Sequence, residues 1–546
     1  YKRQGLPAAA QRSYYVGDAS VYLFGKNGEA PNDSILYKNL NIHYYDKLQV
    51  RPNMLYRWMN YQQFVRSKQM RASNRTRLYS QYRQEQVQEK LSQLGIFSYM
   101  DMQYAPRDTT AACDTLDVTM QATFAKPLDA ELELNVVTKS NDQTGPGASF
   151  GVTRNNVFGG GESWNVKLKG SYEWQTGGGE KSSLMNSWEM GLSTSLTFPR
   201  VVFPHLGKRE FDFPATTTFR LYINQLNRAK YYKLLSFGGN ATYDFQPSRT
   251  SRHSITPFKL TFNVLQHQSE DFKEIAEANP ALYVSLRNQF IPAMEYTYTY
   301  DNASGRRIKN PIWWQSTVTS AGNITSLIYR AFGKPFNEED KSLLGAPFAQ
   351  FVKLNTELRH LWNIDKNNAI ASRMAVGALF TYGNATIAPY SEQFYVGGAN
   401  SIRAFTVRSV GPGGYHPEEG KYSYLDQTGT FRFEANVEYR FRIFKSFWGA
   451  TFLDAGNVWL LRKDRKLLAD GKEARPNSQL RLKTFPKQIA LGTGVGIRYD
   501  MDILVFRLDF GIPLHLPYDT ERSGYYNVTG AFFKNLGIHF AIGYPF

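Results

Sequence analysis

The 546-residue sequence is nearly free of thiols, with Cys113 its one cysteine. An internal disulfide is excluded, and so is a cysteine-rich metal centre. Long apolar runs are missing too: no stretch reaches about 18 apolar residues, which rules out an ordinary membrane-spanning helix. No secretory leader is visible. The opening Tyr1-Lys2-Arg3-Gln4 reads as mature sequence, numbered from inside a longer precursor. Catalytic signatures are equally scarce. "GASFG", Gly147 to Gly151, fits the G-x-S-x-G pattern, but a nucleophile elbow needs a helix after it and His and Asp partners. A strand and a glycine turn follow instead, so Ser149 is expected on a strand. "GTGVG" runs on into "IRYD" as a strand rather than opening a phosphate-binding helix. His539 has no second histidine at metal spacing. The expectation is no enzyme, no cofactor and no metal.

Aromatic residues make up 15% of the chain, with 35 Tyr and 37 Phe beside 43 Gly, a composition that suits β-sheet. Formal net charge is +17. Basic residues gather between Arg66 and Lys90 (Arg66, Lys68, Arg71, Arg75, Arg77, Arg83), which invites a nucleic-acid reading. No nucleic-acid motif accompanies them, so a solvated basic face is expected and no nucleic acid.

Residues 1–125 read as a small α/β domain. "YYVGDASVYLF" is a strand, and in "RPNMLYRWMNY" Leu55, Trp58 and Met59 fall at helical spacing. "SQYRQEQVQEKLSQLG" is a helix with Val87, Leu91 and Leu94 on one face, Ser80 as cap and Gly95 as stop. Two strands follow, the second alternating Leu116, Val118 and Met120 with Asp117 and Thr119. The order is β-α-α-β-β, with an insertion after the first strand.

From Leu128 the period becomes two. In "FRFEANVEYRFR" the odd positions 431 to 441 are apolar or aromatic, while the even ones carry Arg432, Glu434, Asn436, Glu438, Arg440 and Arg442. "ILVFRLDFGI" and "LGIHFAIGYPF" repeat the scheme. Arg and Glu together on one face suit a wet lumen better than a dry core. Connections also alternate: tight turns at Lys445-Ser446 and Asp500-Met501-Asp502, but long polar joins at about 383–426, 461–486 and 513–533. That asymmetry belongs to outer-membrane barrels. Residues 126–546 are therefore read as a closed transmembrane antiparallel β-barrel of about sixteen strands.

Several stretches resemble the BamA/TamA family of outer-membrane assembly proteins. "LSQLGIFSYMDMQY" is similar to a stretch of its POTRA domain. "GGANSIRAF" (397–405) resembles the V-R-G-F/Y motif of its sixth outer loop, and "FLDAGNVW" its F-x-D-x-G strand. "GTGVGIRYD", "RLDFGIPL" and "FAIGYPF" look like the strands that follow. The resemblance covers nearly the whole chain, best from about Phe394 to Phe546. The single POTRA-like unit and the loop motif lean slightly toward the TamA-like branch. Two departures stand in the loop: Ile402 replaces Val, and Ala404 replaces Gly. Since Ala tolerates positive φ poorly, a different backbone path is expected at the loop tip.

The resemblance implies that the loop Ile402-Arg403-Ala404-Phe405 folds into the lumen with its arginine against the wall. Strand parity supplies candidate partners for Arg403: Asp454 on its own strand, and Glu434 and Glu438 on the strand before. Gly456, Gly492, Gly494 and Gly496 leave room for a loop to lie close. The resemblance also implies a bacterial outer-membrane location, the N-terminal domain in the periplasm, and insertion or translocation of unfolded client β-barrel or secreted proteins. Membrane lipid, lipopolysaccharide and periplasmic or lipoprotein accessory subunits are the remaining expected partners. The route would be a lateral seam between the first and last barrel strands, at Leu132, Leu134, Gly537, Phe540, Gly543 and Phe546, where glycine supplies little packing. The alternative is a polypeptide-secreting translocator pore of the two-partner type. A plain porin has no use for a POTRA-like unit, and a phospholipase barrel lacks a Ser-His pairing.

Overall fold

A computed structural model describes residues 12–38, 40–59, 78–110, 113–138, 143–175, 187–202, 215–228, 232–270, 273, 288–303, 308–333, 335, 342–343, 346–383, 388–417, 427–463, 473, 475–501 and 504–546. The basic positions 66, 68, 71, 75 and 77 lie outside these, as does the side chain of Arg83. Lys90, at the end of that basic stretch, is buried with its ammonium 5.5 Å from the Trp58 ring centre.

The N-terminal domain is a five-stranded sheet in the order β2-β3-β1-β5-β4. Its elements are β1 (Tyr15–Phe24), β2 (Asp33–Tyr37), β3 (Leu40–Tyr44), α1 (Pro52–Met59), α2 (Gln81–Gln93), β4 (Phe97–Pro106) and β5 (Thr115–Phe124). The insertion after the first strand forms the hairpin β2-β3, and β3 extends the sheet by running parallel to β1. Strict alternation on β5 buries Leu116, Val118 and Met120, the last two in one cluster with Val87 and Leu91 of α2 and Leu55 of α1. Gly95 takes φ +65 and ends α2. Ser80 stands at the N-cap position with extended backbone, but its side chain makes no capping bond.

Sixteen antiparallel strands follow. The first nine are β6 (Leu128–Thr138), β7 (Gln143–Asn155), β8 (Ser163–Gln175), β9 (Ser187–Phe198), β10 (Ala215–Arg228), β11 (Tyr232–Phe245), β12 (Ser251–Gln268), β13 (Gln289–Asp301) and β14 (Ile312–Ala321). A helix, α3 (Asn323–Ala331), and a small hairpin, β15 (Ser342–Leu343) with β16 (Ala346–Pro347), interrupt the series. It resumes with β17 (Phe351–Asn363), β18 (Asn368–Thr381), β19 (Phe431–Phe444), β20 (Phe447–Trp459), β21 (Ala490–Asp500), β22 (Val505–His515) and β23 (Gly537–Ile542). Each strand pairs with its neighbour in sequence, apart from the hairpin between β14 and β17. Closure is where expectation and structure part. β6 and β23 are the two ends of this sheet rather than neighbours, so the sixteen-stranded sheet is open at its seam. Alternation specifies which way side chains point, and nothing in it requires two edges to pair.

Side chains follow the two-residue rhythm. Leu221, Phe258, Leu453, Val495 and Phe540 are exposed on the outer surface, while Glu438, Asp454, Arg498 and Asp509 are buried within. The turn at Lys445-Ser446 lies at the end that carries the N-terminal domain, and residues 382–430 span the join at the other end. Loop lengths depart from the simple asymmetry in the first half of the series. The join 199–214, at the N-domain end, is long, whereas 229–231, opposite, is short, and the far-end join 139–142 is also short.

Candidate functional site: the lumenal arginine loop

Four successive strands supply the wall. On β20, Phe452, Asp454 and Gly456 point inward; β19 places Glu438, Asn436 and Glu434 directly across from them. β21 and β22 add Arg498, Arg507 and Asp509 on the same face. The join between β18 and β19 folds back from the far end onto this wall. Gly397 and Gly398 take φ +102 and +92 there, a left-handed path open to glycine, and a Cβ on Gly397 would collide with the Thr406 carbonyl.

Arg403 is the centre of the contact, 1% exposed. Its Nε and Nη2 donate to the two oxygens of Asp454 at 2.8 and 2.9 Å, a bidentate fork, and its backbone N–H donates to Asp454 Oδ2 at 3.0 Å. Nη1 donates to Glu438. The guanidinium lies 3.5 Å from the centre of the Phe452 ring, so one face meets a π-cloud while the edges meet carboxylates. His539 Nε2, on β23, donates to the Arg403 carbonyl at 2.7 Å. A cation between Ile402 and Phe405 is thus reasonable: Ile402, Ala404 and Phe405 pack with Val396, Val410, Val458 and Ala490, leaving the guanidinium to meet the charged wall.

Glu434 does not reach Arg403. It accepts from Ser401 Oγ at 2.5 Å and from Arg373 Nη1 at 3.2 Å, with Arg432 at 3.3 Å. Parity admitted Glu434 and Glu438 equally, but register decides: Asn436, between them, sits opposite Asp454 and donates to it at 2.9 Å. Of the glycines expected to border the loop, Gly492 does so, facing the Ala404 methyl. Gly494 instead makes room for the Phe452 ring and Gly496 for Arg498 and Asp509. Gly456 faces Glu434 and Phe433. Gly511 and Gly537 lie beneath the Arg403 carbonyl, where a Cβ would stand 2.6 and 3.1 Å from that oxygen. Ala404 is not among the positive-φ residues, and Gly492 takes up its methyl group; the expected change of backbone path at Ala404 is not required.

Parity alone pointed to two acids that bind Arg403 and missed the other arginines. Glu438 also accepts from Arg498 Nη2 at 3.1 Å and Arg440 Nε at 2.8 Å. Asp509 lies 2.6 Å from Arg498, 3.4 Å from Arg507 and 3.8 Å from Arg403, without an aligned hydrogen bond to its oxygens. Arg507 Nη2 donates to Asn400 of the loop at 2.7 Å. The signal was present: Arg498, Arg507 and Asp509 share parity with Gly496 and Gly511. The other sites behave simply. Ser149, on β7, donates to Glu133 at 3.1 Å. Leu132, Leu134 and Phe540 are exposed on the outer face of the two edge strands. Gly543 takes φ +86 just past β23, and the carbonyl of Phe546 accepts from Arg440 Nη2 at 3.2 Å.

Residues 156–546, more than half of the chain, match the Omp85 superfamily domain. The chain belongs to the Omp85 superfamily. The solved structure of BamA from Haemophilus ducreyi lacking POTRA domains 1–3 is similar to it, with a TM-score of 0.56 and 12% identity over 93% of this chain and 88% of that one. CdiB from Acinetobacter baumannii shows a TM-score of 0.47 and 11% identity, over 92% and 71%. At these identities the likeness concerns the fold. Membership and barrel together make this Omp85 protein an outer-membrane protein and support protein insertion or secretion as its general function.

Proposed function

We propose that this Omp85 barrel assists the insertion or translocation of outer-membrane proteins through a lateral seam between β6 and β23. The observation that carries the reading is the sheet order, in which these two strands are the free edges. An unpaired edge is a template for an incoming strand, and β-augmentation there would offer a client its first hydrogen-bonded neighbour. β23 pairs over only Gly537–Ile542, so its hold on the barrel is short. Leu132, Leu134 and Phe540 line the opening on the membrane side, Gly537 and Gly543 weaken its packing, and Phe546 ends the stretch inside. The loop centred on Arg403, gripping Asp454 and Glu438 while taking a bond from His539 of β23, would hold the wall rigid beside the moving edge. The N-terminal domain would lie in the periplasm and receive clients and accessory subunits; the barrel would meet phospholipid and lipopolysaccharide. No catalytic step is involved, since client folding supplies the free energy.

The test is a cysteine pair, Leu134→Cys with Phe540→Cys, oxidised across the seam in a strain that depends on the protein. Loss of client assembly, restored by reductant, is expected. Full function with the seam locked contradicts the reading. Quantifying the outer-membrane proteome after depletion separates the roles within it. A general assembly factor lowers many barrels at once and a TamA-like one only a few, whereas a two-partner translocator leaves barrels intact and loses one secreted protein.

A further inference from the structure

The helix α3 wears its faces reversed. It buries Thr325 and Ser326 and exposes Ile324, Leu327, Ile328 and Phe332 at 46, 64, 50 and 83%. At about 3.6 residues per turn those four fall on one stripe. The polar side is the one held by the barrel. Gly322 takes φ +70 where the chain leaves β14, and a Cβ there would stand 2.6 Å from the Ala349 carbonyl oxygen. Asn323 donates to Ser320 Oγ at 2.7 Å and accepts from the Tyr382 hydroxyl at 2.9 Å. Tyr329 meets Phe348 edge to face, with ring centres 5.9 Å apart. A surface helix facing water has the opposite arrangement, apolar side inward and polar side out.

The height of α3 decides what the stripe meets. At the N-domain end of the outer face, Phe245 stacks on His253 at 5.1 Å, His253 meets Tyr298 at 5.1 Å, and Tyr298 meets Trp314 at 5.4 Å. Such an aromatic girdle marks a membrane boundary, and the apolar band beyond it is about 25 Å tall. Strands rising about 3.4 Å per residue at a tilt of about 40° climb about 2.6 Å per residue. β14 ends at Ala321, seven residues past Trp314, hence about 18 Å up. α3 therefore begins in the outer part of that band, and its stripe continues the membrane face that Trp314 and Val318 expose on β14. Arg330, at the margin of the stripe, is exposed as well.

We propose that α3 is an interfacial anchor, with Ile324, Leu327, Ile328 and Phe332 among acyl chains of the outer leaflet and Arg330 reaching back to headgroup phosphates. Hydrocarbon accepts the aliphatic stripe that water disfavours, and a guanidinium at its margin keeps its charge in the interface. β14 stands midway in the sixteen-strand order from β6 to β23. The anchor thus fixes the depth of the wall midway between the two free edges. It does not depend on the seam.

The full chain in vesicles of phosphatidylcholine and phosphatidylglycerol tests it, with a spin label on one introduced cysteine in a Cys113→Ser background. A label at Leu327→Cys should collide more with oxygen than with a water-soluble nickel chelate, like a label at Phe258→Cys on the membrane face. A label at Lys366→Cys, exposed in the turn between β17 and β18, should show the reverse. Because variants can misfold, a phospholipid with a photoreactive acyl chain is also applied to the unaltered protein. Crosslinks on residues 324–332 are expected beside those on Phe258 and Leu260. Leu327→Asp with Ile328→Asp should abolish the α3 crosslinks and keep those on β12. Four results would each overturn the anchor: a nickel-accessible label at 327 (the stripe in water), a label that neither reagent reaches (the stripe under protein), protection that fades on dilution with lipid (a second copy), or strand crosslinks with none on α3.

Discussion

The two halves of the barrel carry the same alternation of apolar and charged residues, yet they hydrate the charged face to opposite degrees. In the first half, Lys169 pairs with Glu189 at 2.6 Å with side chains 55% and 33% exposed, and Lys259 with Glu295 at 2.9 Å is similar. In the last strands, Arg498 pairs with Asp509 at 2.6 Å with both side chains at 0%. Strand chemistry does not distinguish them. What differs is the loop that returns from the far end and covers β19 to β22, turning a wet wall into a dry one. In the two open-side pairs a lysine serves, where a single solvated charge suffices; in the dry wall arginine, with five fixed donors, serves where several carboxylates must be satisfied together.

That contrast can be broken in graded steps. Arg403→Ala or Asp454→Ala leaves buried charges unpaired, and about 3–5 kcal/mol of stability should be lost. The readout is a lower temperature for loss of the compact, unboiled gel band. Gly511→Val pushes against the Arg403 carbonyl without touching a charge; a cost of about 1–3 kcal/mol from overpacking is expected in the same assay. Glu434→Gln keeps the Arg403 fork and weakens the bonds to Ser401 and Arg373, costing about 1–3 kcal/mol and raising protease access to the loop. On the open side, Lys169→Ala should change stability by no more than about 1 kcal/mol. If the last two effects come out equal, the distinction between dry and wet halves collapses.

The smallest effect lies outside the barrel. In the N-terminal domain, hydrogen bonds from Arg107 hold the Asp117 carboxyl below its ordinary value. A folded-state value below the unfolded one adds stability above pH 3.8, which is lost as pH falls through the folded value. Asp117→Asn should therefore lower stability slightly at neutral pH and leave it unchanged in acid, which flattens the acid limb of unfolding of the full chain, measured by N-terminal domain fluorescence.

Much of this was legible from residue order. The strand count, the inward parity of Asp454 and Glu438, and the helix and strand faces of the small domain all follow from period alone. Register and edges do not. Glu434 and Glu438 are equivalent by parity, and only the alignment of Asn436 with Asp454 separates them. The role of Phe452 as a platform was hidden because an inward aromatic reads as an exception to a polar face. The parting of β6 from β23 was unreadable, since each has the same alternation whether or not it finds a neighbour. Ala404 looked strained because a glycine stands there in the family it resembles; Gly492, on another strand, removes the conflict.

The most direct test is a double-mutant cycle between Arg403→Ala and Asp454→Ala, read as unfolding free energy of the full chain in detergent. A loop locked into a dry lumen expects the pair to cost much less than the sum of the single changes, with a coupling of about 2–3 kcal/mol. Strict additivity, with each change costing less than about 1 kcal/mol, would mean that the arginine is solvated and the loop is not held by it.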